Sequence, residues 1–269
     1  MEVGKVLKIT NLQKTFNAGT VNAKTALNGL DLEIKDGEFV TVIGGNGAGK
    51  STLLNAIAGV WKPDFGSIEI DGVDVTRMPE YKRAKFLGRV FQDPMKGTSP
   101  DMEIAENLAI ASRRGEKRRF VRGVKRSDRE KYRQLLATLE LGLEDRLSTK
   151  VGLLSGGQRQ AITLLMATMN RPKLLLLDEH TAALDPKTAA KVLELTDQIV
   201  EKNHLTTLMI THNMRDAITH GNRLIMMYEG NILIDVSGEE KKNLTVEHLL
   251  SLFTQASGGG VVNDRLVLN

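Results

Sequence analysis

The chain has 269 residues, of which 41% are hydrophobic, 26% charged and 4% aromatic, with a formal net charge of +4; this is the composition of an ordinary soluble globular protein with room for one large or two small domains. The absence of cysteine excludes disulfides and thiolate metal sites, and so few aromatics argue against a nucleic-acid reader built on stacking platforms. The longest apolar runs, such as LLLL at 174 to 177, fall far short of the roughly 20 residues a spanning helix needs, and the opening MEVGKVLKIT lacks the charged and apolar regions of a secretory signal.

In chain order, VLKITNL and ALNGLDLEI alternate as half-buried strands do, with a turn at Lys35 to Gly37 before EFVTVIG, a continuous apolar strand that runs straight into glycines. STLLNAIAGV then places Leu53, Leu54, Ile57 and Val60 at helical spacing, so the order is strand, glycine loop, helix. SIEIDG predicts another strand, and KRAKFLGRVFQ passes from helix to a short strand ending at Gln92. Between about 98 and 170 the pattern is helical, with Ser127 and Asp128 as helix starts; this predicts a helical subdomain inserted within an α/β core. The core resumes with KLLLLDEH, a helix from about Pro186 to Asn203, the strand TTLMITH, a short helix and the hairpin RLIMMYEGNILIDVSG. The tail, 241–269, carries one amphipathic helix, LTVEHLLSLF, and then Gly258 to Gly260, a flexible stretch. No internal repeat is evident.

GGNGAGKS, Gly44 to Ser51, fits the pattern G-x-x-x-x-G-K-[ST] between a buried strand and a helix N-terminus. Backbone N–H groups of Gly44, Gly45, Asn46, Gly47, Ala48 and Gly49 can turn inward around the β- and γ-phosphates of a nucleotide, where the helix dipole adds favourable potential. Lys50 supplies compensating charge, Ser51 a hydroxyl for Mg²⁺, and Thr52 reaches a phosphate further in. The rival dinucleotide pattern G-x-G-x-x-G fails, because from Gly45 or Gly47 its third glycine falls on Lys50 or Thr52. At the end of the LLLL strand, Asp178 is placed to hold the hydrated metal and Glu179 to polarise an attacking water.

A second glycine-containing loop, LSGGQ at Leu154 to Gln158, follows about a hundred residues later. Ser155 caps a helix whose exposed N-terminus, with Gly156 and Gly157, can bind an anion. A phosphate loop, LSGGQ, an apolar-DE strand, ALD and a strand-end histidine, in this order, resemble the nucleotide-binding subunits of ATP-binding cassette (ABC) transporters over roughly residues 5 to 240. The resemblance implies an α/β P-loop NTPase core with an N-terminal antiparallel β subdomain and an inserted helical subdomain. It also implies ATP and Mg²⁺ as ligands and a head-to-tail homodimer in which Ser155, Gly156, Gly157 and Gln158 of one copy close over the γ-phosphate held by the other.

Residue by residue, Gln92 in VFQDP matches the glutamine that touches Mg²⁺ or the attacking water, and His212 in MITHN the switch histidine that reaches the γ-phosphate. Asp185 in AALD matches the aspartate that communicates between the two sites. Phe16 in KTFNAG matches the aromatic that stacks on adenine, with a core position as the alternative. His180 stands where many relatives have proline and is read as a tolerated variant. The segment Arg113 to Arg126 holds eight Lys or Arg against one Glu; it is either a solvated loop or a contact for anionic lipid head groups or the permease.

By the same resemblance the chain is an ATPase on the cytoplasmic face of a membrane, bound to separate permease subunits and acting indirectly with an extracellular binding protein. It is most similar to subunits that serve importers with a lipoprotein-type binding protein, including those for tryptophan and tyrosine. The alternatives are an exporter or lipoprotein-handling system and, with no second cassette or coiled-coil insertion in its favour, a soluble protein acting on ribosomes or DNA.

Overall fold

The computed structural model describes residues 4–116 and 123–257. The glycines at 258–260 and the centre of the basic run, 117–122, lie outside the described residues.

Strands β1 (Lys5–Phe16) and β2 (Lys24–Lys35) bury alternate side chains, Leu30, Leu32 and Ile34 among them, as a sheet with one solvated face requires. β3 (Phe39–Ile43) is buried at every position, and Gly44–Gly49 lead from it into α1 (Lys50–Ala58). β4 (Phe65–Ile70), β5 (Val73–Asp74), α2 (Glu80–Arg83) and β6 (Leu87–Val90) follow. Strand β6 thus stops at Val90, and Gln92 sits on the loop beyond it.

Helices α3 (Ile104–Ser112), α4 (Arg126–Ala137) and α5 (Gly156–Thr168) come before β7 (Leu174–Asp178). Helix α4 begins one residue earlier than Ser127, and Asp128 acts inside its first turn by accepting the Lys125 N–H at 2.9 Å. The chain ends through α6 (Pro186–Asn203), β8 (Thr207–Ile210), α7 (Met214–Thr219), β9 (Arg223–Tyr228), β10 (Asn231–Ser237), α8 (Gly238–Lys242) and α9 (Val246–Ala256).

Four strands form an antiparallel sheet in the order β2-β1-β4-β5, and six form a second sheet in the order β10-β9-β3-β8-β7-β6. Within the second sheet only the β9–β10 pairing is antiparallel. The register aligns Val42 with Ile210 and Ile210 with Asp178, so the carboxyl ends of β3, β8 and β7 share one edge. In open parallel sheets that edge is where ligands bind.

The largest buried cluster joins both sheets to α1 through residues such as Leu12, Leu27, Leu53, Ile57 and Leu176. A separate cluster, with Leu108, Tyr132, Leu136 and Ile162, holds α3, α4 and α5 together. Burying each of these large apolar side chains contributes about 2 kcal/mol.

Helix α1 is held at its C-terminus by a buried cation. Arg83 is 1% exposed, and its guanidinium donates to the carbonyls of Ala56 at 2.7 Å and Ile57 at 2.8 Å, and to those of Met78 and Thr76. A positive charge there satisfies orphan carbonyls and complements the helix dipole. Gly59, in a left-handed conformation at φ 89°, ends the helix, and a Cβ on it would lie 2.8 Å from Arg83 Nε. Arg83→Met is expected to take the side-chain donor from the Ile57, Met78 and Thr76 carbonyls, while Ala56 O keeps the Gly59 N–H at 3.2 Å, and to lower stability by about 3 kcal/mol or more, read as a lower urea midpoint at unchanged slope.

Candidate functional site

The phosphate loop is a close-fitted turn. Gly44 has φ 150° and Gly49 φ 103°; a Cβ on the first would lie 2.3 Å from the Met227 carbonyl oxygen, and on the second 2.4 Å from that of Ala26. Larger residues would push the loop off β9 and β2. Lys50, 5% exposed, donates to the carbonyls of Gly44 at 2.6 Å and Gly45 at 3.3 Å. Burial pulls its pKa down, while the charges of Glu179 and Asp178 act in the opposite direction. Among the described residues no carboxylate forms an ion pair with it, so a cation stands inside a loop with room for an anion.

A cavity of about 600 Å³ opens over this loop. Of the residues singled out in the sequence, Phe16, Asn46, Gly47, Ala48, Gly49, Lys50, Ser51, Thr52, Gln92, Glu179 and His212 line it. The sheet brings them together, because His212 follows β8, Glu179 follows β7 and Gln92 lies just past β6. Glu179 has φ 48°; its N–H donates to Ile210 O at 3.0 Å and its carbonyl accepts from Ala182 N–H at 3.0 Å. Its carboxylate Oε1 is 2.6 Å from His212 Nε2.

Of the three residues the sequence offers a metal, Ser51 with its hydroxyl and Gln92 with its amide oxygen line the cavity, and Asp178 with its carboxylate, at the end of β7, does not. These are hard oxygen ligands of the kind Mg²⁺ takes, and Mg²⁺ is commonly completed by phosphate oxygens and water. Among the described residues no group of three or more His, Asp or Glu side chains could hold a metal by itself. Asp178 also faces Arg89, whose NH2 lies 3.4 Å from Asp178 Oδ2 and 2.7 Å from Asn55 Oδ1. Sequence reading missed Arg89, which is brought beside the carboxylate by the β6–β7 pairing and by its bond to Asn55.

Two further residues were missed. Lys24, at the start of β2, lines the cavity, with Nζ 3.2 Å from where a Cβ on Gly47 would sit. Gln160, fully buried two residues after the LSGGQ stretch, donates from Nε2 to Phe91 O at 3.3 Å and so ties α5 to the loop carrying Gln92. The RQ following LSGGQ was a signal; for Lys24 no local pattern existed.

Ser155, Gly156, Gly157 and Gln158 do not line the cavity of their own chain. They form a reciprocal cap, in which Ser155 Oγ accepts Gln158 N–H at 3.2 Å and Gln158 Oε1 accepts Ser155 N–H at 3.3 Å. The glycines also permit close packing: a Cβ on Gly156 would lie 3.1 Å from Leu184 Cδ2, and on Gly157 2.3 Å from Thr188 Cγ2. Asp185 caps α6 by accepting Thr188 N–H at 3.1 Å. The bonds from Thr188 hold its carboxyl below the usual range. Within the basic run, Arg114 donates to Ala167 O at 2.7 Å and Arg113 to Gly123 O at 2.7 Å, so both are structural ties.

The family described as ABC transporter matches residues 27–182. A tyrosine transport ATP-binding protein of Clostridioides difficile is 47% identical over 251 residues, spanning 93% of this chain and 100% of its own length. The bacitracin export ATP-binding protein BceA of Halalkalibacterium halodurans is 30% identical over 96% of this chain and 99% of its own. The dimeric structure of MJ0796, a bacterial ABC transporter cassette, superposes with a TM-score of 0.73 at 30% identity, over 86% of this chain and 98% of that one. The chain belongs to the ABC transporter family. It is the ATP-binding subunit, an ATP hydrolase by fold and family, and among the described residues no helix is long and apolar enough to cross a membrane.

His180, beside Glu179, is 2% exposed and its Nε2 lies 3.1 Å from Thr196 Oγ1. Burial, with His220 adding to it and Asp197 opposing, lowers its pKa from 6.5 to about 4. Because the folded pKa lies below the unfolded one, its contribution to stability is full above the unfolded value and is lost as pH falls toward the folded one. His180→Gln is therefore expected to flatten the fall in unfolding free energy between pH 6.5 and about 4, measured by urea denaturation across that interval.

Proposed function

We propose that this chain energises the import of a small nutrient, an aromatic amino acid such as tyrosine, by hydrolysing ATP at the cytoplasmic side of a membrane permease. The observation that carries the hydrolytic reading is the 2.6 Å contact between Glu179 and His212 inside the phosphate-loop cavity. A carboxylate fixed at a strand end, in reach of the γ-phosphate position and of a histidine, is suited to take a proton from an attacking water.

The triphosphate lies along Gly44 to Thr52, held by backbone N–H groups and Lys50, with the base against Phe16. Ser51, Gln92 and Asp178 would hold Mg²⁺, which when bound would neutralise charge on the phosphate oxygens. Glu179 polarises water for direct attack, with no phosphoenzyme. His212 and Lys50 stabilise the γ-phosphate.

The site is completed by a second copy, whose Ser155, Gly156, Gly157 and Gln158 present a helix N-terminus to the γ-phosphate and whose Asp185 links the two sites. The exposed cap at Ser155 and the dimeric MJ0796 cassette support this arrangement. Import of tyrosine rests on the Clostridioides difficile relative, which matches along its whole length at 47% identity, whereas the bacitracin exporter subunit matches at 30%. Uptake against efflux of labelled tyrosine in vesicles carrying the permease distinguishes the two directions.

Glu179→Gln is expected to bind ATP but to lose more than about a hundredfold in turnover, and to shift from monomer to dimer with Mg·ATP in light scattering on a sizing column. Parental turnover in that variant would refute the role given to Glu179. Lys50→Ala, in contrast, is expected to weaken ATP binding itself.

A further inference from the structure

Helix α1 presents the phosphate loop at its N-terminus, and the segment leaving its C-terminus folds back onto the end of β1, where Phe16 sits. Asp64 makes three hydrogen bonds to that strand. Its N–H donates to Gln13 O at 2.9 Å; its Oδ2 accepts Thr15 N–H at 2.7 Å and its Oδ1 the Lys14 ammonium at 2.8 Å. Trp61, the only tryptophan in the chain, stands edge to face with Phe16, ring centroids 5.3 Å apart and planes at 83°. Lys14 Nζ lies 5.6 Å from the centre of the Phe16 ring.

Trp61 is 42% exposed and, unlike Phe16, does not line the nucleotide cavity. It therefore braces the Phe16 ring edge to face from outside that cavity. Beyond Phe16, which pairs with Lys24 of β2, the chain enters a turn with Asn17 and Gly19 at positive φ, closed by Thr20 N–H to Asn17 O at 3.2 Å. Strand pairing and the turn fix the backbone there; the clamp from the α1 exit is what touches the ring itself, and it ties the base end of the site to the helix that holds the phosphate end.

We propose that Trp61 and Asp64 are positioning residues that fix Phe16 as the base platform, and that this clamp sets the preference for a purine over a pyrimidine nucleoside triphosphate. The proposal rests on Phe16 as the residue that stacks on the base. A ring held at a fixed distance from the phosphate loop gains most from the wide face of a purine bound at the same time. A ring free to tilt loses that advantage while the phosphate contacts persist.

The test is equilibrium binding of Mg·ATP, Mg·UTP and inorganic tripolyphosphate to the full chain, by calorimetry, for Phe16→Ala, Trp61→Ala, Trp61→Phe and Asp64→Ala. Phe16→Ala is expected to weaken ATP by about five- to fiftyfold, as removal of a stacking face does, with tripolyphosphate unchanged. Trp61→Ala and Asp64→Ala are expected to weaken ATP by about three- to tenfold, the scale of one aromatic contact, to leave UTP and tripolyphosphate within twofold, and to be reversed at position 61 by Trp61→Phe. Retained tripolyphosphate binding also certifies that each variant is folded.

If Phe16→Ala lowers the ATP-to-UTP ratio but Trp61→Ala and Asp64→Ala keep it at the parental value, the clamp is refuted and the platform stands. If Phe16→Ala leaves the ratio unchanged, Phe16 is not the platform, and the proposal falls with it. Equal losses for ATP, UTP and tripolyphosphate in the clamp variants would mean a structural role only and would likewise overturn it.

Discussion

A buried ammonium organises this molecule. Lys50 is sealed inside its own loop, bonded to the carbonyls of Gly44 and Gly45, with Asp178 and Glu179 close enough for their charge to act on it and neither in contact. Burying an unpaired charge is costly, and a polyanion that enters the loop relieves that cost. The glycines, the helix dipole of α1 and the strand-end carboxylates are arranged around this one charge.

Holding that arrangement requires rigidity at both ends of α1. At the N-terminus, Gly44 and Gly49 press against the backbones of Met227 and Ala26, where no Cβ would fit. At the C-terminus, Arg83 gathers the last carbonyls, and Asp64 fastens the exit to β1. The helix thus behaves as a strut between the phosphate and base ends of the cavity, and the parallel sheet beside it fixes where Glu179, His212 and Gln92 emerge.

Much of this was legible in the chain. The apolar run EFVTVI followed by glycines specifies a doubly covered strand and a phosphate loop because only that backbone geometry suits those residues, and the helix over Pro186–Asn203 is bounded by a proline start and an Asp185 cap. Less legible were features in which one residue serves a distant one. Gly156 and Gly157 read as an anion-binding turn, yet they also make room for Leu184 and Thr188. Nor did the sequence show that His180, read as a tolerated variant, is buried against Thr196. Asp128 read as a helix start and instead acts within the first turn of α4.

The sequence by itself determined the local chemistry: which loop wraps an anion, which strand ends in carboxylates, which helix starts with a serine cap. These depend on spacing within a few residues, where backbone geometry leaves few options. The tertiary structure alone decided which of these local pieces meet. Strand order put β8 between β3 and β7, so that His212 reaches Glu179. Packing placed Lys24 beside Gly47, Arg89 beside Asp178 and Trp61 beside Phe16, to which nothing in their neighbourhood pointed, because these partners lie tens of residues away along the chain and are brought close only by the tertiary fold.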